Sequence, residues 1–448
     1  MGPTADRRGR GGRRLAAIAA ALALTSAGAT ARAGGEGRAS TEGAEATGAP
    51  ATAPAVAAPA VAAPAATAPA VAAPAATALA VAAPAATAPA VAVAIAPPAA
   101  ASSVEAPAVP SPARRLAAAG AAVVPGLLLH GSGHLVIGDW RTARRLMAWQ
   151  GVAMASFLGG IAGLALTGAA PRTVPIFIPL TAAGAGLFGT TWLADVHGVT
   201  MPPGARGESR RAPPRIEAEA GMRYVHDRVL PYRAFLVAAL DWRLGGFRLA
   251  PSAWVAVDHG NARLRAAGAY RLAGPRPRAA DAGPAPPAAA DGSYLDLEVA
   301  LTHHRYGSER FALTLGEAAL AGRLDLARIA ASLAGSFAEV GVGLAFGGIT
   351  YFDVTTEATD LLLGRFAWGL YLGREADRWA ELSIYYDHRH DGFAGGLKLP
   401  GLGSGSAGHF GARALAYLGP RWGFLVDLQA GSAYVAGASV MLRHGGGA

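Results

Sequence analysis

The sequence predicts a mainly β protein: an antiparallel transmembrane β-barrel of about 12 strands, preceded by a small α-helical membrane module and a disordered Ala/Pro-rich tether. Three observations carry this expectation. From Arg215 onward, Ile216, Ala218, Ala220, Met222 and Tyr224 take one face, and Arg215, Glu217, Glu219 and Arg223 take the other. A period of two marks a half-buried strand. The pattern then recurs in segments mostly ten to fourteen residues long, beyond the usual soluble strand and suited to a tilted membrane strand. Hydrophobic residues make up 52% of the chain and charged residues 15%, which leans toward a membrane protein.

Residues 1–33 read as a secretory signal peptide. Arg7, Arg8, Arg10, Arg13 and Arg14 form a basic region, Leu15 to Leu24 a short apolar run, and Ala31-Arg32-Ala33 a cleavage site. Six arginines against one aspartate there account for +5 of the net +9, which leaves +4. That remainder is too small to argue for a nucleic-acid partner. The chain has no cysteine, so lipoprotein anchors, disulfides and thiolate metal sites are excluded.

Residues 34–114 form the tether. Pro54, Pro64, Pro74 and Pro84 recur every ten residues among alanines. Proline at this density removes helix donors and favours an extended, semi-rigid chain. At about 3.1 Å per residue, roughly 60 residues reach ~190 Å, a span that suits contact with peptidoglycan.

Residues 115–200 form the apolar helical module. Met147–Gly168 and Thr173–Ala194 are each long enough to cross a bilayer. Before them, Pro125-Gly126, His130-Gly131-Ser132-Gly133-His134 and Gly138-Asp139 make a glycine-rich stretch. On a helix, His130 and His134 would share a face as metal ligands do. The glycines between them favour a turn instead, and no metal site is read. The Pro-Gly, Gly-His and Gly-Asp pattern resembles that of TM2-type membrane hairpins, which implies one helix, a tight glycine turn and a second helix. A linker follows at 201–214.

The barrel is placed at 215–444. Strands are expected near 215–226, 232–244, 247–258, 262–272, 293–305, 309–316, 336–352, 361–373, 378–388, 409–418, 421–430 and 432–443. Segment 317–335 reads either as a short helix or as an uncounted strand. Tyr224, Tyr232, Trp242 and Phe247 are expected to form an aromatic girdle at the lipid interface. The lumen-facing set is Arg215, Glu217, Glu219, Arg223, Arg233, Asp241, Arg243, Arg263, Arg265, Asp296, Glu298, Arg365, Glu381, Asp387, Arg413 and Asp427, with Arg248, Asp258, Arg271, Arg310, Glu339 and Arg443 on the same face. Both signs are balanced, which points to ion pairing rather than a selective ring.

Two connections, 273–292 and 389–408, are long. If the C-terminus is periplasmic, the second is extracellular, as long loops should be, while the first breaks the rule. His388, His390, Asp391 and His409 bracket the second loop. Clustered histidines with a carboxylate suit a general base, and Ser404 and Ser406 lie nearby, but no spacing fixes a catalytic geometry.

In architecture the C-terminal half resembles bacterial outer-membrane β-barrel proteins. That resemblance implies a Gram-negative outer membrane, the lipid bilayer as partner, and the outer-membrane assembly machinery as a further one. The last strand is followed by RHGGGA rather than a terminal aromatic, a departure from the usual assembly signal. The reading is a structural or narrow-pore barrel, without enzymatic activity, cofactor or identifiable substrate. The alternatives are a lipid-modifying enzyme using 388–409, and an inner-membrane helical protein with a periplasmic β domain.

Overall fold

Alternation of charge and apolar side chains over the C-terminal half closes into a barrel. The computed structural model describes residues 111–445, except 171, 210–212, 228–231, 277–291, 308–310, 352–353, 374–377, 390–392 and 394–407. The signal segment and nearly all of the tether lie outside the described residues.

The strands are β1 Ile216–Asp227, β2 Ala234–Leu244, β3 Phe247–Ala256, β4 Ala262–Ala273, β5 Tyr294–Tyr306, β6 Phe311–Asp325, β7 Ser336–Tyr351, β8 Val354–Leu372, β9 Trp379–Asp387, β10 His409–Tyr417, β11 Trp422–Ala430 and β12 Ala433–His444. Each pairs antiparallel with the next, and β12 returns to β1 with Ile216 opposite His444. Closure pairs every edge, the condition for a sheet to cross lipid.

The ambiguous segment resolves as strand. β6 continues through Glu317, Ala319, Ala321 and Arg323 on the inside, opposite Ala345, Gly343, Gly341 and Glu339 of β7. Single-turn helices at Leu326–Arg328 and Ala331–Leu333 then lead to β7. The strand number is therefore twelve. Ile216 pairs with Trp242, Leu244 with Phe247, and Phe247 with Tyr270. The end of β4 thus lies at the same end of the barrel as the two ends of the sheet, hereafter the terminal end. The 273–292 connection starts and ends there and 388–408 at the opposite end, so a miscounted strand does not account for their lying on opposite sides.

The outer wall is apolar and exposed along its length, as with Leu236, Val299, Val342, Leu344 and Val426. A closed barrel with this surface is solvated by lipid. Trp242, Phe247 and Trp422 stand exposed toward the terminal end, and Tyr224, Phe410 and Tyr434 toward the other. Eight residues of strand separate the Tyr224 and Trp242 levels, or about 20 Å at ordinary tilt. Tyr232 departs from the expected girdle. It lies before β2 begins, and its ring packs against Phe393 and His259 at the barrel mouth rather than against lipid. Asp258 is likewise not on the inner face. It sits in the exposed β3–β4 turn, where a hydrogen bond with His259 at 2.6 Å lowers its pKa. Arg310 lies outside the described residues.

Among the described residues, four α-helices precede the barrel: α1 Pro112–Val123, α2 Ser132–Ile137, α3 Trp140–Leu166 and α4 Val174–Thr200. Ser111 caps α1 ahead of Pro112, and the Asp139 carboxylate caps α3 through the Thr142 amide at 3.1 Å. Burial pushes the Asp139 carboxyl up, but the Thr142 donors outweigh it and hold it below the usual range. Each of α3 and α4 is long and apolar enough to cross a membrane. They pack antiparallel through small residues: a Cβ on Gly184 would collide with the Phe157 backbone, and one on Gly160 with Thr181.

This hairpin docks on the outer barrel wall. Gly186 lies against the Phe366 ring, and the His197 imidazole sits edge-on to Trp368 at 6.2 Å. Leu146 and Ala194 share a core with Leu326, Ala330 and Leu333 of the β6–β7 connection. His197 Nε2 lies 3.1 Å from the Ala334 carbonyl.

Candidate functional site

The lumen is where the chain gathers its chemistry. Alternation places every second residue of each strand inside, and the result is a cavity of about 700 Å³ lined by ten arginines and ten carboxylates. Among the described residues most of these charges fall into five groups, one of them the Arg271–Asp296 pair at 2.5 Å. Toward the terminal end, Arg243 contacts Glu217 at 2.9 Å and Asp241 at 2.8 Å, and Arg248 links Asp241 to Glu298. Arg323 on β6 bridges Glu339 on β7 at 2.5 Å and Glu381 on β9 at 2.7 Å, beneath the Phe337 ring. Glu317 takes Arg265 at 2.8 Å, Arg389 at 2.6 Å and the Thr302 hydroxyl at 2.7 Å. Asp427 takes Arg223 at 2.6 Å and the Tyr385 hydroxyl at 2.8 Å.

These contacts cross open space as well as neighbouring strands. Two strands, β7 and β8, lie between Glu381 and Arg323, and Arg389 comes from the connection after β9 to reach Glu317 on β6. Charged hydrogen bonds in a low-dielectric interior are strong when each lone pair is met. The network ties side chains of non-adjacent strands together across the lumen.

An aromatic cluster lies at the end of the barrel opposite the terminal end. Phe393 stacks on Trp254 at 5.5 Å and lies 4.7 Å from Phe235 and 4.8 Å from His304, ring centre to ring centre. Val225, Ala256, Ala433 and Val435 complete this cluster.

Of the lumen-facing set expected from the sequence, Glu217, Glu219, Arg223, Asp241, Arg243, Arg263, Arg265, Asp296, Glu298, Arg365, Glu381, Asp387, Arg413 and Asp427 line the cavity. Arg215 and Arg233 do not. Each is exposed just outside its strand, at opposite mouths. Glu317, Arg323 and Arg389 were not singled out by sequence reasoning. The first two belong to the part of β6 whose Ala, Leu and Glu composition favours helix in isolation. For Arg389, two residues beyond β9, continued alternation after Asp387 was the available signal.

Of the candidates His388, His390, Asp391 and His409, the described residues include His388 and His409. His409 opens β10 on the inside, opposite Asp387 in register, and is 5% exposed. His388 instead contacts the Tyr386 hydroxyl at 2.8 Å, and the Tyr386 ring packs on Phe410 of the outer wall. The two histidines thus lie on opposite faces of the barrel wall. His390, Asp391, Ser404 and Ser406 lie outside the described residues. Among the described residues, no group of three or more His, Asp or Glu side chains is placed to hold a metal ion.

The helical module has its own polar centre. The fully buried Asp195 carboxylate on α4 accepts the Gly131, Gly133 and His134 amides at 2.8, 3.2 and 3.3 Å, and His134 Nδ1 at 2.6 Å. Gly131 has φ +87°, and Ala143 approaches it too closely to admit a Cβ. His130 and His134 are therefore separated by a left-handed turn. His130 turns to Thr191 at 2.7 Å.

A closed antiparallel barrel with an apolar exterior and a charged interior defines the class: an outer-membrane β-barrel, here carrying a helical hairpin on its wall. No family model matches the chain, and no curated protein matches it in sequence. Among solved structures, KdgM porin aligns at 10% identity and TM-score 0.29, over 51% of this chain and 98% of the porin. NanC porin aligns at 7% identity and TM-score 0.29 over the same shares. The translocator domain of autotransporter NalP from Neisseria meningitidis aligns at 11% identity and TM-score 0.27, over 51% of this chain and 88% of that domain. The barrel is defined by its own strand pairing.

Proposed function

We propose that the protein is a structural or narrow-pore barrel of a Gram-negative outer membrane, with an ion-paired lumen that passes little solute. The observation that carries this reading is the Glu317 group. Two guanidiniums from different sides of the lumen meet on one carboxylate, across the space that an open pore would leave to water. Equal numbers of basic and acidic lining residues supply no ring of one sign, so weak ion selectivity accompanies the narrow bore. The placement of His388 and His409 on opposite faces favours this non-enzymatic reading over lipid modification at 388–409. The tether, by its length and proline spacing, suits contact with peptidoglycan.

Liposome swelling tests the proposal. Vesicles holding the full mature chain should swell in a monosaccharide no faster than empty vesicles. Swelling at the rate of a general porin would sink the narrow-pore reading. Loss of one lipid species from the envelope on gene deletion, restored by the intact chain alone, would favour the enzyme.

A further inference from the structure

The segment before α3 dips beside the hairpin and returns. Arg114 on the first turn of α1 donates through Nε to the Val136 carbonyl at 2.7 Å, which ties the start of α1 to the end of α2. Both therefore lie level with the start of α3 at Trp140. Between them, the turn at 124–131 lies beside Gln150. The Gln150 amide accepts from the His130 N–H at 3.0 Å and donates to the Leu128 carbonyl at 2.8 Å. Ten residues of helix separate Trp140 from Gln150, a depth of about 15 Å. Trp192 Nε1 donates to the Ala122 carbonyl at 3.0 Å at the same level. Gln150 and Asp195 thus satisfy irregular backbone at depth, as a bilayer requires.

The outside of this turn is apolar. Leu128 is 83% exposed and Val124 73%, with Leu127 and Leu129 beside them. At the rim, Arg114, Arg141 and Arg144 are exposed. Among the described residues, Arg141 and Arg144 form no ion pair. Asp139, the carboxylate nearest in sequence, is taken up by the Thr142 amide and hydroxyl. Arginines in the first turns of a helix oppose its macrodipole, so helix stability does not account for them.

We infer that the module is a re-entrant anchor in the leaflet at the terminal end, where Arg141 and Arg144 bind the phosphate of anionic glycerophospholipids. The apolar turn enters the acyl region, continuous with the barrel's lipid-facing wall, and the arginines stay at headgroup level. This holds whether or not the lumen conducts.

The test uses the full mature chain in vesicles of phosphatidylcholine, with or without phosphatidylglycerol, followed by native mass spectrometry of retained lipid. Phosphatidylglycerol should be retained over phosphatidylcholine. Arg141→Gln/Arg144→Gln should weaken that preference about fivefold per arginine, while the barrel keeps its heat-modifiable gel mobility. Brominated acyl chains should quench Trp149, and Leu128→Asp should reduce the quenching. Equal retention of the two lipids, an unchanged preference in the double variant, or a Trp149 that bromolipid does not reach would each overturn the inference. So would retention of lipopolysaccharide in place of glycerophospholipid.

Discussion

Arg223 on β1 and Asp427 on β11 are separated by β12, yet guanidinium and carboxylate meet at 2.6 Å. Gly437 makes this possible. It pairs in register with both residues, and Arg223 passes over it where a Cβ would lie 2.9 Å from the arginine Cγ. The pair spans the seam at which the last strand meets the first.

Removing one partner of a mostly buried pair leaves the other charge uncompensated. Asp427→Ala should therefore cost about 3–5 kcal/mol of barrel stability, and the paired change Arg223→Met/Asp427→Leu much less. The urea midpoint of the folded, heat-modifiable gel band measures both. Equal losses for the single and paired changes would show that packing at the seam matters more than charge.

The two faces of β2 make opposite predictions. Ala238 points to lipid, and Ala239 lines the cavity. Ala238→Arg should cost about 2–4 kcal/mol near the bilayer midplane, and Ala239→Arg clearly less. Folding yield into lipid vesicles decides it. Comparable losses would contradict the assigned faces.

Much of this was legible in the sequence, for one physical reason. In β1, Glu217, Glu219 and Arg223 alternate with apolar residues, and period two survives only in a strand with one wet and one dry face. The second half of β6 hid because EAALAGRLD has few β-branched or aromatic residues. Pairing to β5 and β7 overrides its local preference. Tyr232 keeps the alternation of β2 although the strand begins only at Ala234, so its position does not follow from the pattern. Asp195 serves a turn more than sixty residues earlier in the chain, so spacing says nothing of its partners. Its signal was to be the one carboxylate in an apolar helix.

That carboxylate predicts a separable defect. Asp195→Ala strands three backbone donors and His134, at about 1–3 kcal/mol for each buried group left unsatisfied. The turn at 124–131 should open and release Trp192 from the Ala122 carbonyl, while the barrel, closed by its own pairing, still forms. Limited proteolysis should cut near Gly131 in a chain whose barrel band is unchanged. A variant that resists cleavage like the parent would remove Asp195 from this role.

His388 and His409 lie on opposite faces of the wall. The combined change His388→Ala, His390→Ala and His409→Ala should leave the lipid profile of the envelope as it was. Mass spectrometry of lipids from the deletion strain complemented with each form would show it. A species restored by the parent but not by the triple variant would reverse the non-enzymatic reading.

If paired charges and the Phe393 cluster narrow the lumen as proposed, single-channel recording in planar bilayers shows it most directly. The parent chain should show small or absent conductance with weak selectivity, because ten arginines face ten carboxylates. Phe393→Ala with Arg389→Ala should raise the conductance, since together they remove the ring packed against Trp254 and the guanidinium held by Glu317. A large, steady, steeply selective conductance from the parent, unmoved by that double change, would contradict the account.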